Sequence, residues 1–154
     1  MSKTIIALFI TLLSVVNLNA QITKLIIGVD GFTCSLCAKG IEEQFKSLDF
    51  VKSVKTDLKK TEFVLTFKSN PGIELSKIRD AVNDGGFTVR DIKIEAKGYI
   101  RGSTGSGFYL VTPNTAEFQL KNIKGKITDG DKVSVKGKVN TGIDLIDIVS
   151  LKKL

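Results

Sequence analysis

Apolar positions change their spacing several times along the chain, and each change marks an element. Leu25-Ile26-Ile27-Gly28-Val29 is a continuous apolar run of strand length. Ile41, Phe45 and Leu48 then fall at i, i+4 and i+7, which gathers them on one face of a helix running to about Leu48. Glu42, Glu43, Lys46 and Ser47 take its wet side. Two strand-like segments follow, about Val51 to Leu58 and Glu62 to Phe67. In the second, Phe63, Leu65 and Phe67 alternate with their neighbours in the period of a half-buried strand. Lys59-Lys60-Thr61 between them is short enough for a hairpin turn. Asn70-Pro71-Gly72 breaks the strand pattern. A second helix is predicted from about Glu74 to Asp84, burying Leu75, Ile78 and Val82 and stopped by Gly85-Gly86. Phe87, Val89, Ile92 and Ile94 are the apolar positions of a last strand. The order strand, helix, strand, strand, helix, strand predicts a ferredoxin-like α+β unit over residues 21–97. Its four strands form an antiparallel sheet with both helices on one face.

After Lys97 the pattern turns to short alternating segments without a helix signal. Gly102-Ser103-Thr104-Gly105-Ser106-Gly107 reads as a polar loop inside a β unit, because apolar positions resume on both sides. Strands are predicted at Phe108 to Thr112, Ala116 to Leu120, Lys132 to Val139 and Ile143 to Leu151. Gly137 marks a bend in the third of these, and Asp129-Gly130-Asp131 a turn before it. Short strands in this number predict a small all-β barrel over residues 98–154. The phrase from Ile127 to Val139 is similar to turns of OB-like barrels. Tyr99, Phe108 and Tyr109 are assigned to core or hairpin packing ahead of a binding face.

Residues 1–20 read differently from everything after them. Lys3 precedes an apolar stretch, Ile5 to Val16, and Asn17-Leu18-Asn19-Ala20 ends on a small residue. The stretch is short for a bilayer span, so a cleaved secretory signal is expected. The mature chain then begins at Gln21, periplasmic or extracellular. No cysteine lies near the cut, so a lipid-anchored form is not expected. The chain carries 23 basic and 16 acidic residues, a net charge of +7. The basic residues are scattered, which reads as a solvated surface. A basic stripe with interleaved aromatics is absent, so nucleic acid is not an expected partner.

The candidate chemistry lies between the first strand and the first helix. Cys34 and Cys37 are the only 2 cysteines, in the stretch Gly31-Phe32-Thr33-Cys34-Ser35-Leu36-Cys37. The thiols lie on a strand-to-helix turn, with Cys37 close to the first turn of the helix, where unpaired backbone N–H groups and the dipole favour thiolate. Two soft sulfurs on an exposed loop suit a soft metal ion such as Cu(I). A bridge across so few residues would cross-link very little chain, so the pair is a poor structural staple. The sequence contains no histidine. Zinc would therefore have to recruit carboxylates such as Asp30 or Glu42, or solvent. Without histidine there is also no Ser-His-Asp or Cys-His arrangement, and the chain does not read as an enzyme.

With its helix and the later Gly86-Phe87 pair, this cysteine stretch resembles the heavy-metal-associated domain family over about Thr23 to Ala96. That family includes copper chaperones and the metal-binding domains of copper-transporting ATPases. The resemblance implies that Cys34 and Cys37 hold one Cu(I) between two thiolates in near-linear geometry. Hg(II), Ag(I), Cd(II) and Zn(II) stand as alternatives. It also implies hand-over to a metal-transporting membrane protein or another metal-accepting protein. Ile41 fills the family's aliphatic position, and Phe87 would lie near the metal loop. Phe32 departs from the family, which usually has methionine there as an inward, non-ligating side chain. Two other readings stay open. One is a periplasmic thiol–disulfide redox protein, and the other an interaction module whose β-barrel carries the function.

Overall fold

The computed structural model describes residues 21–69, 72–112, 117–140 and 144–154. The secretory signal expected over residues 1–20 lies outside these, as do Asn70, Pro71, Ala116 and Ile143 at the predicted element ends. The first half of the chain forms β1 (Gln21–Asp30), α1 (Ser35–Ser47), β2 (Val51–Asp57), β3 (Glu62–Phe67), α2 (Leu75–Asn83) and β4 (Thr88–Ser103). β5 (Gly107–Val111), β6 (Phe118–Lys121), β7 (Lys132–Val139) and β8 (Leu145–Lys153) follow. Among the described residues no helix is long and apolar enough to cross a membrane.

The first four strands lie in the order β2-β3-β1-β4, with every neighbouring pair antiparallel. This is the ferredoxin-like arrangement expected from the element order. Alternation decides which side chains face the helices. Leu25, Ile27 and Val29 of β1, Phe63 and Leu65 of β3, and Ile92, Ile94 and Ala96 of β4 are all buried. Ala38, Ile41 and Phe45 of α1 close on them, as do Leu75, Ile78, Ala81 and Val82 of α2. Phe45 packs edge-on against Phe63, with ring centroids 5.4 Å apart, a geometry aromatic pairs prefer.

The OB-like barrel expected over residues 98–154 is not confirmed. Those residues do not build a separate sheet; all eight strands belong to one, in the order β2-β3-β1-β4-β5-β6-β8-β7. The cause is β4, whose 16 residues run straight through the change of composition at Lys97. Its first part pairs with β1, its last part with β5, and its opposite edge with β7 between Ile92 and Tyr99. The pairings from β4 through β5, β6, β8 and β7 therefore return to β4, and β6 runs parallel to β8. Buried residues of both halves, from Ile22 to Ile148, form one continuous apolar cluster.

Two glycines make this sharing possible. A Cβ on Gly98 would stand 2.5 Å from the Val111 carbonyl oxygen. One on Gly137 would stand 2.5 Å from both the Asp147 carbonyl oxygen and the Ile146 side chain. The bend expected at Gly137 appears as a register shift between Lys136 and Gly137 against β8.

Candidate metal centre

The site is built where β1 ends and α1 begins. Gly31 turns the chain with φ of +99°, a conformation that a side chain would strain. Phe32 then drops into the core, and Thr33 and Cys34 return to the surface. Cys34 is the N-cap of α1, with extended backbone, and its sulfur accepts a hydrogen bond of 3.1 Å from the Cys37 backbone N–H. In most helices an oxygen side chain occupies this place. Here a sulfur does, so the helix N-terminus faces the chemistry directly. Cys37 lies in the first turn, half-buried and packed on the apolar core, whereas Cys34 is exposed.

The Cα atoms of Cys34 and Cys37 are 5.4 Å apart, and the sulfurs are joined as a disulfide. The structure thus brings together both residues singled out by the sequence, in their oxidised form. Leu36, between them, is 78% exposed. An apolar side chain placed so openly beside the sulfurs contributes nothing to the core.

The floor of the loop is aromatic. Phe32 is 4% exposed and lies 5.5 Å, centroid to centroid, from Phe63. It meets Phe87 edge-on at 6.1 Å. Phe87 also lies beside Gly31, where a Cβ would touch its ring at 3.5 Å. The inward Phe32 is therefore accommodated by two further rings, and Phe87 lies near the loop.

The carboxylates nearest the cysteines in sequence are occupied. Asp30 accepts from Arg90 Nη1 at 2.9 Å. Glu42 accepts from Lys46 Nζ and, at 2.8 Å, from Thr56 Oγ1. Lys46, then Thr56, hold the Glu42 carboxyl below its ordinary range. Among the described residues no group of 3 or more His, Cys, Asp or Glu side chains converges on a common point. The side chains thus supply two sulfur donors and no third. Lys39, one turn into the helix, is exposed.

Arg90 was not legible as part of this region. It is one outward residue of a long strand, and only the fold shows that it reaches across β1. The aromatic at position 87 was suggested by the Gly86-Phe87 pair alone.

Residues 26–88 match the sequence profile of the heavy-metal-associated domain. No curated protein matches the chain. Among solved structures it is similar to a CopZ metallochaperone, with 24% identity and a TM-score of 0.41, covering 44% of this chain and 98% of that one. It is also similar to the yeast copper transporter domain Ccc2a, solved in apo and Cu(I)-loaded states, with 27% identity and a TM-score of 0.39, covering 44% of this chain and 90% of that domain. The N-terminal domain of PacS from Synechocystis PCC6803 is 21% identical with a TM-score of 0.37, covering 44% of this chain and 92% of that domain.

Proposed function

We propose that the heavy-metal-associated domain at residues 26–88 binds one soft metal ion, Cu(I) first among them, between the thiolates of Cys34 and Cys37, and passes it to a protein acceptor. One observation carries the reading: two sulfurs converge at the N-terminus of α1 while Asp30 and Glu42 are engaged elsewhere. A site with two soft donors and no third suits a cuprous ion, which tolerates low coordination and prefers sulfur. Zinc needs four ligands, commonly nitrogen and sulfur, and this chain has no histidine to complete them. Ag(I) and Hg(II) share the preference for two sulfurs. Cd(II) and Zn(II) would have to complete their shells with solvent.

The disulfide must be opened before any metal enters. A dithiol reductant supplies two electrons and two protons, becoming a disulfide itself while Cys34 and Cys37 become thiols. Cu(I) then displaces both thiol protons and leaves a bis-thiolate complex of charge −1. The N–H groups of the first helical turn face that charge. An exposed two-coordinate ion is open to a third sulfur from an acceptor. Transfer then proceeds by exchange of one Cu–S bond at a time, without release of a free ion.

A second reading rests on the disulfide itself. A joined, accessible Cys-x-x-Cys pair is also the substrate-exchanging form of a thiol–disulfide protein. Metal preference separates the two. The reduced protein should take up one Cu(I) in the presence of a large excess of Zn(II), and should not turn over a disulfide substrate. Catalytic reduction of insulin with no copper uptake would favour the redox reading.

Residues 21–97 carry the metal, and residues 98–154 are an accessory unit built onto the same β4. Export, through the apolar segment of residues 1–20, places the acceptor outside the cytoplasm, as a metal-transporting membrane protein or another metal-accepting protein. We assign no catalysis to the chain.

A further inference from the structure

The loop that carries the cysteines leaves β1 at Asp30, and one side chain ties that point to the rest of the sheet. Arg90 projects from the outer face near the start of β4. Its Nη1 donates to Asp30 Oδ1 at 2.9 Å and to Thr61 Oγ1 at 2.8 Å, and its Nη2 donates to the Lys60 carbonyl at 3.1 Å. Nε lies 3.5 Å from Asp91 Oδ1. The hydrogen-bond acceptors come from the last residue of β1 and from the β2–β3 turn, so one guanidinium carried by β4 joins three pieces of chain.

The surroundings are shaped to let it do so. Gly28 lies under the arginine, and a Cβ there would stand 2.7 Å from Arg90 Nη2 and would also collide with Asp91 Oδ1. Thr61 adopts φ of 51°, a left-handed conformation unusual for a branched residue. It is held by the Val29 N–H donating to its carbonyl at 2.9 Å as well as by Arg90. Arg90 is 39% exposed, and an ion pair so open to solvent contributes little to global stability. Its several hydrogen bonds have a local consequence instead. They fix the chain immediately before Gly31, from which the direction of Phe32 to Cys34 follows.

We propose that Arg90 is a positioning residue for the metal site, latching the base of the cysteine loop so that the two sulfurs stay apposed after their disulfide is reduced. The inference rests on the metal-binding reading above. In the oxidised protein the covalent bond holds the sulfurs together. In the reduced protein only the N-terminus of α1, the Phe32 anchor and the Arg90 latch do. Without the latch, metal binding has to order the loop, and affinity falls. Lysine cannot substitute fully, because one ammonium does not reproduce a planar fork reaching Asp30, Thr61 and Lys60 together.

The test uses the full chain, reduced and anaerobic, with Arg90→Ala, Arg90→Lys and Gly28→Ala. Gly28→Ala keeps the arginine but displaces its guanidinium. Cu(I) affinity is measured against a chromogenic chelator, amide exchange is followed in residues 31–37 of the apo protein, and the urea midpoint is recorded for each. Arg90→Ala and Gly28→Ala should each bind Cu(I) about tenfold more weakly, the scale of an outer-shell partner. Their loop amides should exchange faster while the urea midpoint hardly moves, and Arg90→Lys should fall between. Wild-type affinity and wild-type loop exchange in Arg90→Ala would overturn the proposal. So would an affinity loss that merely follows a lowered urea midpoint. If the wild type itself takes up no copper, the metal reading fails on its own, and loop exchange still decides whether Arg90 is a latch.

Discussion

Replacing Phe32 tests how the metal loop is anchored, since this residue joins the cysteine stretch to the core. Its ring is almost fully buried and touches Phe63 at 5.5 Å and Phe87 at 6.1 Å. Truncation to alanine removes a buried aromatic and leaves a cavity under the loop, which costs about 3–5 kcal/mol in comparable cores. Each aromatic contact adds about 0.5–1.5 kcal/mol beyond area alone. The exposed loop above can sink partway into the space, so the lower end, about 3 kcal/mol, is the expected value. With a urea slope of about 1.5 kcal/mol/M, that moves the midpoint down by roughly 2 M. Phe32→Met keeps most of the volume and should cost less than about 1.5 kcal/mol. The assay is equilibrium urea unfolding of the oxidised protein, read by circular dichroism, with Phe63→Ala and the double variant to close a cycle. A Phe32→Ala cost below about 1 kcal/mol would show that the ring does not anchor the loop. So would additive losses in the cycle, because rings in contact should couple.

Gly137→Ala should destabilise the protein by about 1–3 kcal/mol, seen as a lowered thermal midpoint, because the new methyl meets the Asp147 carbonyl oxygen at 2.5 Å, backbone that cannot swing aside, as well as the buried Ile146 side chain. Glu42→Gln tests a pH dependence whose sign follows from the lowered carboxyl of Glu42 in the folded protein. The stability difference between wild type and variant should be fully present above the ordinary value of 4.5 and disappear as pH falls through the lower folded value. Its size should be a fraction of a kcal/mol, about 0.3–0.5, as for other exposed i,i+4 pairs, and urea midpoints across pH 3–7 would measure it. Reducing the disulfide should change stability by less than about 2 kcal/mol, since the bridge closes a sequence separation of only 3. Unfolding curves with and without a thiol reductant would show it.

The first half of the fold was legible because its periods are clean. Ile41 and Phe45 are buried at helical spacing, Phe63 and Leu65 at strand spacing, and Gly85-Gly86 follows α2. The cysteine turn was legible because a strand-length apolar run and a helical pattern meet there. The length of β4 was hidden for a physical reason. Its inward positions continue past Ile94 as Ala96, Gly98 and Ile100, and at Gly98 the Val111 carbonyl packs too closely to leave room for a side chain. A reading of hydrophobic alternation loses the strand where the close approach requires glycine. The parallel pairing of β6 with β8 joins residues such as Leu120 and Ile146, and no local signal carries a contact so distant in sequence. Arg90 escaped for the same reason, since its partners Asp30 and Thr61 lie 60 and 29 residues away.

The central claim is that Cys34 and Cys37, and nothing else in the chain, hold a soft metal ion. An anaerobic Cu(I) titration of the reduced protein against a chromogenic Cu(I) chelator, beside a Cys34→Ser/Cys37→Ser variant, tests it most directly. One tightly bound copper per chain is expected, withdrawn from the chelator by the wild type and left on it by the variant. Copper left on the chelator by both proteins, or bound equally by both, would contradict it.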